Sequence, residues 1–173
     1  MKNIIFFCAT ILALVAVPFL IISKESTLAE GRTMLLRLAP RDPRSLMQGD
    51  YMVLRYAMAN AISSKELESK GCLVVALDTN NVASFVRVHK GEKLQDGEHL
   101  LAYRNRGGLR LGAESFMFQE GNAEIYTRAW YGELKVDKEG SSVLVGLCWD
   151  NFQPMKRKTG LEVGAGSFYL KDL

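Results

Sequence analysis

Side chains able to do chemistry are sparse in this sequence. His89 and His99 are the only histidines, and they flank a loop that also holds Glu92, Asp96 and Glu98. Imidazoles and carboxylates together can hold a divalent metal, but the tight ligand spacing of such sites is missing. Loop carboxylates beside histidine are the plainer reading. HExxH, GxSxG and a phosphate-binding glycine loop do not occur, and the positions of Cys8, Cys72 and Cys148 exclude CxxC. Cys72 (in GCLVVAL) and Cys148 (in VLVGLCW) sit in apolar, strand-like surroundings. Asp50 follows Gly49 at a turn, where its carboxylate can accept backbone N–H groups and brace a loop–strand junction. Lys156-Arg157-Lys158 is shorter than a polybasic membrane motif and reads as solvated surface. Trp149 and Phe152 fit core packing as well as an interaction patch. No cofactor and no metal is expected.

The elements that must carry these residues begin with an oily segment. From Ile4 to Ile22 the chain has 19 residues without a charge, preceded only by Lys2. As a helix the run spans roughly 28 Å, close to the ~30 Å hydrocarbon core of a bilayer. Pro18 falls near its end, where a kink is tolerable. The run is longer than the about 7–15 apolar residues of a cleaved signal peptide. The best cleavage position, after Ala29, is set well past it. Residues 1–22 are therefore expected to be a retained, single-pass membrane anchor, residues 23–30 a short polar tether, and residues 31–173 one folded domain. An amino-terminal anchor ahead of a large domain enters the export path as a signal sequence does, which puts the domain outside the cytoplasm. Cys72 and Cys148 could then form a disulfide, although two independent core thiols explain them equally simply.

The rest of the composition suits that picture. The 173 residues fit one domain, and 48% hydrophobic with 24% charged residues excludes a disordered or collagen-like chain. A net charge of +3 with interleaved signs does not suggest nucleic-acid binding. TMLLRLA (Thr33–Ala39) reads as a strand, and PRDPRSLMQGD as a turn-rich connection. In Tyr51–Tyr56 the alternation puts Met52, Leu54 and Tyr56 on the better core face. AMANAISSKELES is open between strand and helix. CLVVALD and VASFVRVH form a hairpin about TNN. HLLAYRNR and LRLGAESFMF are further strands, and GELKVDKEGSSVLVGLCW is a hairpin about DKEG. Between them, EGNAEIYTRAWYG is expected to hold a helix of two to three turns. GLRLGAESFMF echoes GLEVGAGSFYL at 160–170. Eight or nine short strands without a βαβ rhythm predict a mainly β fold. Its form is an antiparallel β barrel or half-barrel with one short helix, preceded by the transmembrane helix.

Gly49-Asp50-Tyr51-Met52-Val53-Leu54-Arg55-Tyr56 resembles the signature of the GDYxxLxY family of membrane-anchored bacterial proteins, matching all five specified positions. The resemblance extends to Pro40, Asp42, Pro43 and Arg44 before the signature, to Leu77-Asp78 and Val82–Arg87, and to Phe116–Ala123. It continues through Tyr126, Trp130, Tyr131, Gly132 and Glu133. Met117 and Gln119 depart mildly from an aromatic and an acidic residue. The likeness implies motif positions with a structural role and no assigned reaction. It also implies a polytopic membrane protein as partner, since family members are often encoded beside one, and residence in the bacterial cytoplasmic membrane. A weaker likeness, to type I signal peptidases, implies a nucleophile at Ser45 and a base at Lys90. Ser45 lies too near Gly49-Asp50, however, and Val86 stands where the lysine belongs.

From these residues the expected function is a non-enzymatic, membrane-anchored envelope domain that binds or supports another membrane protein. It would touch the bilayer through residues 4–22. The alternatives are a serine/lysine hydrolase and a β domain that holds a lipid or small molecule.

Overall fold

The computed structural model describes residues 24–39, 51–63, 67–118 and 123–155, together with Thr10, Leu14 and Pro18. The described residues form nine strands: β1 (Arg32–Arg37), β2 (Tyr51–Val53), β3 (Lys70–Leu77), β4 (Ala83–Val88), β5 (Glu98–Asn105), β6 (Leu109–Arg110), β7 (Ser115–Met117), β8 (Tyr131–Val136) and β9 (Ser142–Cys148). They pair as β1-β8-β9, β2-β7 and β4-β3-β5-β6, and every ladder is antiparallel. The result is mainly β, a curled half-barrel. The expected helix of two to three turns is a single turn, α2 (Ala123–Tyr126), and AMANA forms another, α1 (Ala57–Ala61). Among the described residues no helix is long and apolar enough to cross a membrane. The run 4–22 lies outside them except for Thr10, Leu14 and Pro18, which are helical and exposed. Lys156–Lys158 and the second half of the internal echo also lie outside.

Both long hairpins turn by the same device. In the first, Asp78 Oδ1 accepts the backbone N–H groups of Asn80 and Val82, each at 2.8 Å, and Asn81 takes φ 62°. In the second, Asp137 Oδ1 accepts the Ser141 N–H at 2.7 Å, and Gly140 takes φ 87°. Aspartate opening a turn and a residue tolerant of positive φ closing it are what this geometry requires.

These two turns also join the sheets. Asn81 O accepts the Leu35 N–H of β1 at 2.8 Å, and Gly140 O accepts the Ala102 N–H of β5 at 2.9 Å. Each hairpin thus places its left-handed residue against a strand of the other sheet. A Cβ on Gly140 would stand 2.9 Å from Ala102 N and 3.1 Å from Leu100 C. Glycine is demanded there twice over, by φ and by space.

A continuous core fills the space between the sheets. Met34 and Leu36 of β1, Leu134 and Val136 of β8, Leu73 and Val75 of β3, and Leu101 and Tyr103 of β5 all belong to it. β8 alternates strictly, with Gly132, Leu134 and Val136 inward. β3, paired on both sides, buries Leu73, Val74 and Val75 in succession, with Leu73 and Val75 in the core, and its register against β4 shifts at Val74/Val75, where β4 carries the extra residue Val86. Each such side chain contributes about 2 kcal/mol on leaving water.

Residues 24–30, expected to be a polar tether, are helical and fixed to the body. Thr27, buried at 3% exposure, donates its hydroxyl to Asp137 Oδ2 at 3.1 Å, and the Lys24 ammonium donates to Ser141 Oγ at 2.9 Å. The same β8–β9 turn that grips β5 therefore also holds the chain emerging from residues 4–22.

Gly140→Ala is expected to destabilise the full chain by about 2–4 kcal/mol, read as a lower urea midpoint in detergent solution. Asn81→Gly at the more open turn should cost under about 1 kcal/mol.

Candidate functional site

The signature segment runs through the middle of the fold. Met52, Leu54 and Tyr56 are each at most 2% exposed, while Val53 is 57% exposed. Strand β2 pairs with β7, and beyond it Leu54 N–H donates to Glu114 O at 2.7 Å. On the other side Ala39 N–H donates to Arg55 O at 2.7 Å, and Leu38 bridges to Tyr56. Residues 54–56 thus tie the β1-β8-β9 sheet to the β2-β7 ribbon.

Tyr56 is the bolt of that tie. Its hydroxyl donates to Ala113 O at 2.5 Å, and its ring lies over Gly132, where a Cβ would come within 3.1 Å of Cε1. A larger residue at 132 would push the ring off its seat. Glu114 Oε1 accepts the N–H groups of Leu111 and Gly112, and Ser142 Oγ donates to Leu111 O at 2.9 Å. The loop that receives the Tyr56 hydroxyl is therefore held from three directions. Burial, and then the Glu114 carboxylate, raise the Tyr56 phenol well above its ordinary value.

Beside this segment opens a groove of about 450 Å³. Its walls are the end of β1, with Arg37 and Leu38, the signature residues Met52 and Leu54, and Tyr126 and Trp130 at and after α2. Tyr126 is buried against Phe116, edge to face at 5.0 Å, which fixes the groove's inner wall. Trp130 is 48% exposed at the rim, with the Arg37 guanidinium 5.7 Å from its ring centroid. Arg55 supplies a second guanidinium. The described lining holds two fixed positive charges and apolar surface, an inventory for binding.

The other expected site residues fall as follows. Pro40, Asp42, Pro43, Arg44, Ser45, Gly49, Asp50, Glu120 and Gly121 lie outside the described residues, as does the Tyr51 side chain. Tyr131 packs on Phe152 at 5.2 Å. Glu133 approaches the Cys148 thiol at 3.9 Å. Lys90 is exposed after β4, where its N–H donates to Glu92 Oε2 at 2.9 Å. That loop is braced by Arg87, paired through its guanidinium with Glu98 and with Glu92. His99 Nε2 meets Arg32 at 3.0 Å, and burial followed by that guanidinium lowers its pKa. Among the described residues no His/Cys/Asp/Glu group could hold a metal ion.

Cys72 and Cys148 are both free thiols. Cys72 Sγ faces Glu139 O at 3.8 Å on β3, while Cys148 is buried on β9. Burial, and then Glu133, push the Cys148 thiol up to about 11.

A family model described as "GDYXXLXY protein" matches residues 13–147, which include the signature, both hairpins and the groove. The chain belongs to the GDYxxLxY family. No curated protein and no solved structure matches it significantly. The signal-peptidase likeness gains nothing from either comparison and is carried no further. Seen in this member of the family, the Leu and second Tyr of the signature are packing residues, and the Leu lines one wall of a groove. Sequence reading missed Arg37, and took Trp130 for part of a helical stripe. Trp130 in fact follows α2 and is aimed by strand bonds, its N–H donating to Cys148 O at 2.9 Å and its carbonyl accepting from Leu38.

Tyr56→Phe should cost about 1–2 kcal/mol, because the Ala113 carbonyl loses its partner in a buried site. The unfolded phenol ionises near its ordinary value of about 10, the folded one only at higher pH. Stability tied to Tyr56 is thus complete below about pH 10 and falls as pH rises toward the folded value. Urea melts across that window should show the fall in the parent and less of it in Tyr56→Phe.

In a Cys8→Ser background, Cys72 should be alkylated at neutral pH at least about tenfold faster than Cys148, whose thiol is protonated and buried. Peptide mass mapping over time checks this, and equal rates would contradict the assigned burial.

Proposed function

We propose that this protein is a non-enzymatic, membrane-anchored domain of the bacterial cell envelope that docks on another membrane protein. Residues 4–22 would hold it as a single-pass protein in the cytoplasmic membrane, with the β body outside the cytoplasm. The supports for this part are the uncharged length of that run and the fixed attachment of residues 24–30 to the body.

The observation that carries the docking reading is the rim of the groove. Tryptophan and arginine dominate the energetics of protein interfaces, and here Trp130 and Arg37 stand stacked at the mouth of an apolar recess. The occupant that fits is an extracytoplasmic segment of a polytopic membrane protein, apolar along its length and carrying a carboxylate to meet Arg37 or Arg55. Exposed Val53 and Met117, on the outer face of the β2-β7 ribbon, would extend the contact. A volume of about 450 Å³ also suits an apolar small molecule, which is the second reading.

Mild detergent extraction and affinity recovery of the full chain should return a recurring integral membrane protein. Trp130→Ala and Arg37→Glu should each lower its recovery about tenfold, the effect of losing one interface anchor. Their unfolding midpoints should stay near the parent's, since both side chains are at the surface. Recovery of the chain alone, or a partner insensitive to both substitutions, would sink this reading.

A further inference from the structure

A second surface answers to a different chemistry. The register of the four-stranded sheet sets Lys70 of β3 opposite Arg104 of β5, and Arg104 opposite Arg110 of β6. Three cations therefore stand in one row across neighbouring strands, with Cβ atoms about 5 Å apart. Like charges directly opposed in a ladder destabilise the sheet that carries them. All three are exposed, and none forms an ion pair among the described residues.

Two more cations close on the row. Arg106 follows in the β5–β6 turn, and Lys24 reaches in from the helical segment 24–30, steadied by its bond to Ser141 Oγ at 2.9 Å. Together the five line a cleft of about 660 Å³. The acidic side chain in its lining, Glu114, has Oε1 taken by the Leu111 and Gly112 N–H groups. Glu68 lies near Tyr103 at the start of β3 and offsets part of the charge. Arginine forks match the oxygens of a phosphate, and several at one concave site define an anion receptor more than a solvated face.

Position says which phosphate. Lys24 is the second residue after the uncharged run, and its segment is fixed to the β8–β9 turn. The cleft thus opens on the part of the body that the anchor would hold at the bilayer surface. We propose that the Lys70–Arg104–Arg110 row, with Lys24 and Arg106, binds the phosphate of an anionic phospholipid headgroup. The choice of a lipid rests on the anchor reading above, whereas the phosphate chemistry rests on the cleft alone. Bound there, the headgroup relieves the repulsion along the row.

The test is a titration of the full chain in an uncharged detergent, followed by thermophoresis. The ligands are short-chain phosphatidylglycerol, short-chain phosphatidylcholine, glycerol 3-phosphate and inorganic phosphate. Phosphatidylglycerol should bind saturably and phosphatidylcholine should not, with the affinity falling steeply between about 0.05 and about 0.5 M salt. Arg104→Gln with Arg110→Gln should weaken binding at least about tenfold, yet unfold no earlier than the parent without ligand, since it removes repulsion. Lys93→Gln, which removes an exposed cation elsewhere, should bind as the parent does. Equal binding of both lipids, or unchanged affinity in the double variant, overturns the proposal. Glycerol 3-phosphate or inorganic phosphate binding as tightly as phosphatidylglycerol overturns the lipid assignment and leaves a free phosphate ester as ligand. The titration needs no partner protein, so a failed co-purification and a failed titration report on different surfaces.

Discussion

The fold depends on two backbone hydrogen bonds that cross between its halves. Asn81 O takes the Leu35 N–H, and Gly140 O takes the Ala102 N–H. Sheets packed only through apolar side chains could slide, because hydrophobic contact is non-directional. A bond from a turn carbonyl to a mid-strand amide is directional, and two such bonds, offered reciprocally, fix both the angle and the register of the packing. The Leu35 amide would otherwise be an unpaired group in a buried residue, which raises the cost of any alternative arrangement. The turns can reach only because their closing residues adopt positive φ, so a local conformational tolerance becomes a global constraint.

The signature acquires its meaning from that frame. Leu54 and Tyr56 lie where the two packed sheets meet a third, smaller ribbon, and Tyr56 closes the junction with one ring and one hydroxyl. The ring needs Gly132 beneath it, and the hydroxyl needs the Ala113 carbonyl, itself held in place by the turn that Glu114 and Ser142 support. Moving any one of these residues moves the groove wall that Leu54 and Tyr126 form. Structural and functional readings of the motif are therefore not in competition. The packing residues are buried, and what they position is the exposed rim of Arg37 and Trp130.

Much of this was legible from residue order. Alternation identified Met52, Leu54 and Tyr56 as the inward face, and Asp-Thr-Asn-Asn and Asp-Lys-Glu-Gly marked both hairpins, because period-2 burial and turn chemistry are local rules. The helical state of residues 24–30 was not legible. It is stabilised by Thr27 and Lys24 meeting Asp137 and Ser141, over 100 positions away. The short length of α2 escaped as well, since Ala123, Tyr126 and Trp130 fit a helical period while Trp130 is claimed by the strands on either side. The cationic row was hidden for the same reason. Lys70, Arg104 and Arg110 look like ordinary strand-end charges until pairing sets them side by side.

That last case separates the two kinds of surface on this molecule. Arg87 is also a cation on a strand, partly buried, but its guanidinium is matched by Glu98 and Glu92, and the result is a braced loop with its charge cancelled. Glu98 is held below the usual carboxylate range first by Arg87, and Glu92 first by its backbone, as expected for anions whose charge the fold itself satisfies. Among the described residues the Lys70–Arg104–Arg110 row forms no such pair. A sheet that tolerates three adjacent positive charges forgoes stability it could have gained with any neutral strand-former. Local rules broken without an internal compensation mark the places where a protein is shaped for something outside itself. By that criterion the row and the exposed Trp130 rim belong together, as the two surfaces on which the proposals above rest.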